Sequence, residues 1–190
     1  LNGMRASDIK AAGPDKGLLD HVLPNKPSNK PLPQKEWTVM VFMNAKNNLS
    51  DGKLLGLVGK FADKDIAEMK KVGTTDKVNV VVEHGIKGKG SRRLLVQKDS
   101  LLGHGETVYG EYPNADMGDY KRVIDFVKWS KTNFPARHYM FVLWNHGLGW
   151  IDPNQTLHTA GTGASEKGIL FDDETKNYVR TRQLGEILRQ

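Results

Sequence analysis

Trp37-Thr-Val-Met-Val-Phe-Met43 is apolar at almost every position rather than at every second one. A strand with one face in water alternates; a strand covered on both faces does not. Two further runs share this property, Val78-Asn-Val-Val-Val82 and Tyr139-Met-Phe-Val-Leu-Trp144. Three such runs predict interior strands of a largely parallel sheet with helices on both faces.

The segments between them supply the helices. Leu54, Leu57, Val58, Phe61, Ile66 and Met69 form one helical stretch, closed by Gly73 as a C′ residue. Val123, Phe126, Val127 and Ser130 recur at i, i+3, i+4 and i+7, and Asp116 and Asp119 are placed to accept from the free N–H groups of that helix's first turn. Pro135 follows its end. Arg92–Lys98 reads as an extra strand with a partner near Thr107–Tyr109. Ile169–Phe171 and Tyr178–Val179 read as a hairpin around Asp172-Asp-Glu-Thr-Lys-Asn177, after which Thr181 caps a short helix, Arg182–Gln190. The order β-α-β-(hairpin)-α-β predicts a right-handed, three-layer α/β/α arrangement with a mostly parallel central sheet. It stops mid-helix, so the fold is expected to be incomplete in this chain.

Ahead of the first strand the composition changes. Five of the eight prolines (Pro14, Pro24, Pro27, Pro31 and Pro33) precede residue 36. Residues 1–36 therefore read as a flexible leader or pro-segment, in which Ile9, Leu18, Leu19 and Val22 offer a short docking helix, and 37–190 as the folded portion. Leu1 in place of Met suggests a processed or truncated start.

Over the 190 residues, 38% are hydrophobic and 26% charged, a globular balance. No stretch approaches the roughly 20 apolar residues of a membrane-spanning helix, and there is no apolar h-region at the N-terminus. The formal charge of +6 is modest and lacks interleaved aromatic and basic residues, which argues against nucleic-acid binding. The chain has no cysteine, hence no disulfide, no Cys-based zinc site and no thiol nucleophile of its own.

Chemistry in an open α/β sheet collects at the carboxyl ends of strands. The third apolar run ends in Trp144-Asn-His-Gly-Leu-Gly-Trp150, which puts His146 just past a buried strand. An imidazole there can exchange a proton near neutral pH, and the Gly147 N–H can help stabilise an oxyanion. A histidine merely hydrogen-bonded at a strand end is the equal alternative. His84 follows the second strand and reads as structural or peripheral; His21, His104, His138 and His158 are weaker candidates. The glycine-rich stretches Gly85–Gly90 and Gly161–Gly168 lack the endings of phosphate loops and read as a hairpin loop and a surface loop. Asp172, Asp173 and Glu174 carry ligand chemistry for calcium, with a turn bearing a solvated charge run as the default.

Four blocks in order then resemble one family. Trp37-Thr-Val-Met-Val-Phe-Met-Asn-Ala-Lys-Asn-Asn-Leu49, Asp65-Ile-Ala-Glu-Met-Lys-Lys-Val-Gly73, Met117-Gly-Asp-Tyr120 and Trp144-Asn-His-Gly147 are similar to the clostripain family of cysteine peptidases, over about Trp37 to Gln190. The resemblance implies a caspase-like α/β sandwich. It also implies cleavage after Arg or Lys by a dyad of a His after one central strand and a Cys after the next. His146 matches the family's catalytic His and Gly147 its oxyanion donor. The Cys is expected in an Asp-Ala-Cys segment beyond a helix like Arg182–Gln190, supplied by a C-terminal chain of the same precursor. The carboxylate that would hold the basic substrate side chain is expected in the same place.

No cofactor is needed for such chemistry, and calcium stays compatible with it. Protein or peptide substrates, zymogen processing and a secreted or cell-envelope bacterial location are further implications. A processing cut would be expected after a basic residue such as Lys167, yet the chain runs through Lys167 and one residue past Arg189. Two departures stand out: Lys46, where the family commonly has Asp, and Gly52–Phe61, which looks like an enlarged connection. The main alternative is a non-catalytic caspase-like module that binds protein; a further one is an unrelated α/β ligand-binding domain.

Overall fold

The structure is a computed structural model and describes residues 32–47, 61–101, 103, 105–145 and 168–190. Its elements are β1 (Lys35–Ala45), α1 (Phe61–Lys70), β2 (Val78–Ile86), β3 (Gly90–Val96), β4 (Glu106–Tyr112), α2 (Tyr120–Asn133), β5 (Ala136–Trp144), β6 (Gly168–Ile169), β7 (Val179–Arg180) and α3 (Thr181–Leu188). Five strands form one sheet in the order β4-β3-β2-β1-β5, and β6 pairs antiparallel with β7. β1 runs parallel to both β2 and β5, with Val41 level with Val82 and Val142. β3 and β4 extend the sheet in antiparallel fashion.

The continuous apolar runs of β1 and β2 are explained by burial on both faces. Met40 and Phe42 point to one side, where Val81, Leu95, Val123, Phe126, Val127, Phe134 and Ile187 complete a core under α2 and α3. Val41 and Met43 point to the other, against Val82, Leu94, Ala62 and Ile66 under α1. Helices on both faces make three layers. The connection from β1 to β2 carries its helix on one face, and the return past β1 to β5 carries its helix on the opposite face. Two crossovers with opposite direction and opposite face share one hand.

Several boundaries differ from the sequence reading, each for a local reason. β3 begins at Gly90 rather than Arg92, because a turn over residues 87–89 closes with Lys89 N–H donating to Ile86 O at 3.0 Å. Gly90 has φ +77°, and a Cβ there would lie 2.1 Å from Tyr112 O, so only glycine fits the start of that strand. Asp119 caps α2 by accepting from Lys121 N–H at 2.9 Å. Asp116 does not serve that helix; it accepts from Gly118 N–H, Thr175 Oγ1 and Asn177 Nδ2. Thr181 is the first residue of α3 rather than its cap, because Gln183 Oε1 reaches back to the Arg180 N–H at 2.8 Å and sets the helix start one residue earlier. Gly73 ends α1 as expected, its N–H donating to Met69 O at 2.7 Å.

β5 is the edge of a partial sheet. Its residues are mostly half-buried or exposed, and Met140 is 53% exposed. Among the described residues, none reaches the length and apolarity of a membrane-crossing helix. The leader to residue 31, the stretch 48–60 with Leu54, Leu57 and Val58, and the loop that contains Lys167 lie outside the described residues.

Candidate active site at the carboxyl edge of the sheet

The carboxyl ends of β1 and β5 lie side by side, and polar residues gather there: Asn44, Lys46 and Asn47 from one, Asn145 from the other. Asn44, at the end of β1, is fully buried and donates through Nδ2 to the carbonyls of Leu170 (2.9 Å) and Phe171 (3.1 Å). Its Oδ1 accepts from Lys46 N–H at 3.1 Å, so the side chain uses both ends. Leu170 is buried yet holds φ +59°, a conformation disfavoured for a bulky residue. The two Asn44 bonds therefore hold a strained turn against the sheet.

Asn145, the first residue after β5, is held in the same manner. Asn47 Nδ2 donates to its Oδ1 at 3.0 Å, and its own Nδ2 donates to Phe171 O at 3.0 Å. One residue earlier, Trp144 Nε1 donates to Asp65 Oδ2 of α1 at 2.7 Å. The side chains of the last two described residues before position 146 are thus tied to the segment after β1, to α1 and to the segment before β7. His146 and Gly147, the two site residues expected from the sequence, lie outside the described residues. So do His21, His104 and His158.

Beside this clamp sits a buried ion cluster. Lys46, 3% exposed, places Nζ 2.6 Å from Ala115 O, 2.7 Å from Glu174 Oε2 and 3.2 Å from Asp172 Oδ2. Burial disfavours the ammonium, but the Glu174 hydrogen bond and the Asp172 charge outweigh it and raise its pKa above the usual lysine value. Burial likewise opposes the Glu174 charge, and the Lys46 and Gly88 donors outweigh it, lowering that carboxyl below its ordinary range. Asp172 is fully buried: Oδ1 accepts from the N–H groups of Glu174 and Thr175, and Oδ2 from Met117 N–H at 3.0 Å. The Met117–Tyr120 block owes its pattern to this neighbourhood. Met117 is fully buried, Asp119 caps α2, and a Cβ on Gly118 would lie 2.3 Å from the Asn177 backbone.

Two further buried groups lie near the end of β2, on opposite faces of the sheet. Glu83 accepts from Ser91 Oγ at 2.7 Å, from Arg93 Nε at 2.5 Å and from Arg122. Arg93 continues to Asp125 at 2.6 Å and lies over the Tyr112 and Trp129 rings. This network joins the antiparallel strands to α2. His84, on the opposite face, is 1% exposed; burial first and the Arg92 charge second lower its pKa to about 4, so it is a neutral structural imidazole. His138 stacks on Trp37 with ring centroids 4.8 Å apart on the β5 edge.

Neither the asparagine clamp nor the Glu83 network was visible in the sequence as a site. The only signal was the density of polar residues, Asn44 to Asn48, directly after an apolar strand. The partners that receive those side chains are main-chain carbonyls, which leave no residue signature.

A three-layer α/β sheet whose polar contacts converge at parallel strand ends defines a domain that keeps its chemistry at that edge. The chain belongs to the clostripain family, whose model matches residues 41–190. A secreted C11 cysteine protease from Bacteroides thetaiotaomicron, solved with an irreversible peptide inhibitor, is 22% identical with a TM-score of 0.56, covering 82% of this chain and 39% of that one. A B. fragilis cysteine protease is 26% identical with a TM-score of 0.51, over 67% of this chain and 98% of that one. An inactive zymogen C11 protease from Parabacteroides distasonis is 19% identical with a TM-score of 0.51, over 65% of this chain and 34% of that one. The chain thus spans about two fifths of the first, a third of the last and nearly all of the second. No curated protein matches it.

Proposed function

We propose that this chain is the histidine-bearing portion of a clostripain-like cysteine endopeptidase that cleaves peptide bonds after Arg or Lys. In this reading residues 1–36 are a leader or pro-segment, and 37–190 the N-terminal part of the peptidase domain. His146 works with a Cys supplied by a separate C-terminal chain of the same precursor, and the Gly147 N–H faces the developing oxyanion. The Cys thiol passes its proton to the His146 imidazole, and the sulfur attacks the scissile carbonyl and forms a C–S bond. The C–N bond then breaks as the imidazole delivers a proton to the leaving amine, and water afterwards hydrolyses the thioester. The carboxylate that selects Arg or Lys belongs to the same C-terminal chain. No cofactor enters these steps, and the protein acts outside the bacterial cytoplasm, secreted or in the envelope.

One observation carries the reading: the residue before His146 is clamped at the β5 carboxyl end by Asn47 and by Phe171 O, each at 3.0 Å. A general acid–base group needs a held backbone to be worth its usual roughly 10²–10⁴ in rate. Two-chain assembly draws support from the relatives, since this chain covers 98% of the B. fragilis chain but 34% of the P. distasonis zymogen.

The test uses the complete protein. Cleavage of an Arg- or Lys-containing peptide is expected to fall by roughly 10² or more in His146→Ala, and an Arg- or Lys-directed thiol reagent is expected to label the partner chain. Unchanged turnover in that variant, or a partner without a reactive Cys, would sink the proposal.

A further inference from the structure

We infer that Lys46 is a built-in cation: its ammonium fills the position a metal ion would take between Asp172 and Glu174, so this corner of the domain takes no divalent cation while Lys46 is present. Stoichiometry and charge at one buried point support this, independently of the peptidase reading.

An ammonium has three N–H donors. Lys46 has three oxygens in reach, Ala115 O at 2.6 Å, Glu174 Oε2 at 2.7 Å and Asp172 Oδ2 at 3.2 Å, so every donor is used. The oxygens are equally committed. Asp172 spends Oδ1 on the Glu174 and Thr175 N–H groups and shares Oδ2 between Lys46 and Met117 N–H. The other Glu174 oxygen accepts from Gly88 N–H at 2.5 Å. Calcium requires six to eight oxygens at roughly 2.3–2.6 Å, and a buried ammonium centred among the same oxygens would repel it at contact range. Among the described residues, no group of three or more His, Asp or Glu side chains is arranged to hold a metal.

The ammonium also performs the mechanical role of a structural ion. It joins the end of β1, the loop before α2 and the 172–174 turn. The Lys46 carbonyl adds a bond from Asp173 N–H at 2.9 Å. Take the ammonium away and the buried Asp172 carboxylate, the partly covered Glu174 carboxylate and a carbonyl face one vacated point, a set that suits a small hard cation completed by water.

The experiment is thermal unfolding of the full protein in chelator and in millimolar calcium. Wild type is expected to unfold at the same temperature in both. K46A is expected to unfold roughly 5–15 °C lower in chelator and to recover a large part of that loss with calcium. K46M, which fills the space without a charge, is expected to be destabilised and calcium-insensitive, and K46A/E174Q to lose the calcium response. If K46A folds only when calcium is added, the inference is supported directly. It is overturned if calcium shifts wild type as much as K46A, or if neither K46A nor its folding responds to calcium.

Discussion

Acid is expected to destabilise this domain through His84 before its carboxylates titrate. The imidazole is 1% exposed at the end of β2, and among the described residues its Nδ1 has no hydrogen-bond partner. Burial, then the Arg92 charge, lower its pKa from 6.5 to about 4, against weaker opposing pulls from Asp63 and Glu106. The folded pKa lies below the unfolded one, so the unfolded chain binds the proton at the higher pH. The neutral-histidine contribution is therefore fully present above pH 6.5, declines as pH falls toward about 4, and is constant below that. The gap is worth about 3 kcal/mol in all, of which about 2 kcal/mol is lost between pH 7 and pH 5. Denaturant unfolding of wild type and His84→Gln across that range isolates the effect, because carboxylate titration is common to both proteins. The slope should be markedly shallower in the variant, whatever its stability at pH 7. Equal slopes, or an NMR titration of the His84 ring centred near 6.5, would refute the reasoning.

Three further outcomes are expected. On the proposed peptidase reading, Asn145→Ala should lower kcat of the complete protein on the order of 10–100-fold with little change in KM, since it removes both side-chain bonds of the residue before His146; unchanged constants in steady-state kinetics would contradict it. Glu83→Ala should cost about 3–5 kcal/mol in denaturant unfolding, because Arg93 and Arg122 would be left facing each other without their carboxylate; a loss under about 1 kcal/mol would contradict the buried-network account. On the proposed two-chain reading, this chain expressed alone should aggregate or bind a hydrophobic dye, given the open β5 edge, and a monodisperse, cooperatively unfolding lone chain would count against it.

Two of the three apolar runs, β1 and β2, were legible as interior strands because burial on both faces leaves a mark in composition, with Met40 and Phe42 serving one core and Val41 and Met43 the other; the third, β5, forms the edge of the described sheet instead. The capping of α2 was legible in part: Asp119 does what its position suggests, whereas Asp116 is drawn away by Thr175 and Asn177, more than fifty residues later. The candidate site was legible as a strand end, while the histidine read from the same motif lies outside the described residues. Asn44 bonds to Leu170 and Phe171 across 126 and 127 residues, and its targets are carbonyls that any side chain could accompany. Lys46 stood out as a departure from the family pattern. What the sequence could not supply was the direction in which that ammonium points, which depends on the Ala115 carbonyl and the 172–174 turn meeting at one place.

These contacts separate two tasks along the sheet. The Asn145 side chain bonds to Asn47 after β1 and to Phe171 ahead of β7, with Trp144 tied to Asp65 next door. The inner edge of β5 is likewise satisfied from within, paired with β1 from Ala136 to Trp144. The outer edge of β5 pairs with no described strand, and its side chains are only half covered. A strand added there would gain main-chain hydrogen bonds and cover Met140 without disturbing the asparagine clamp. The side-chain clamp on Asn145 and the outer edge of β5 are therefore physically separate, so pairing along that edge leaves the clamp as it stands.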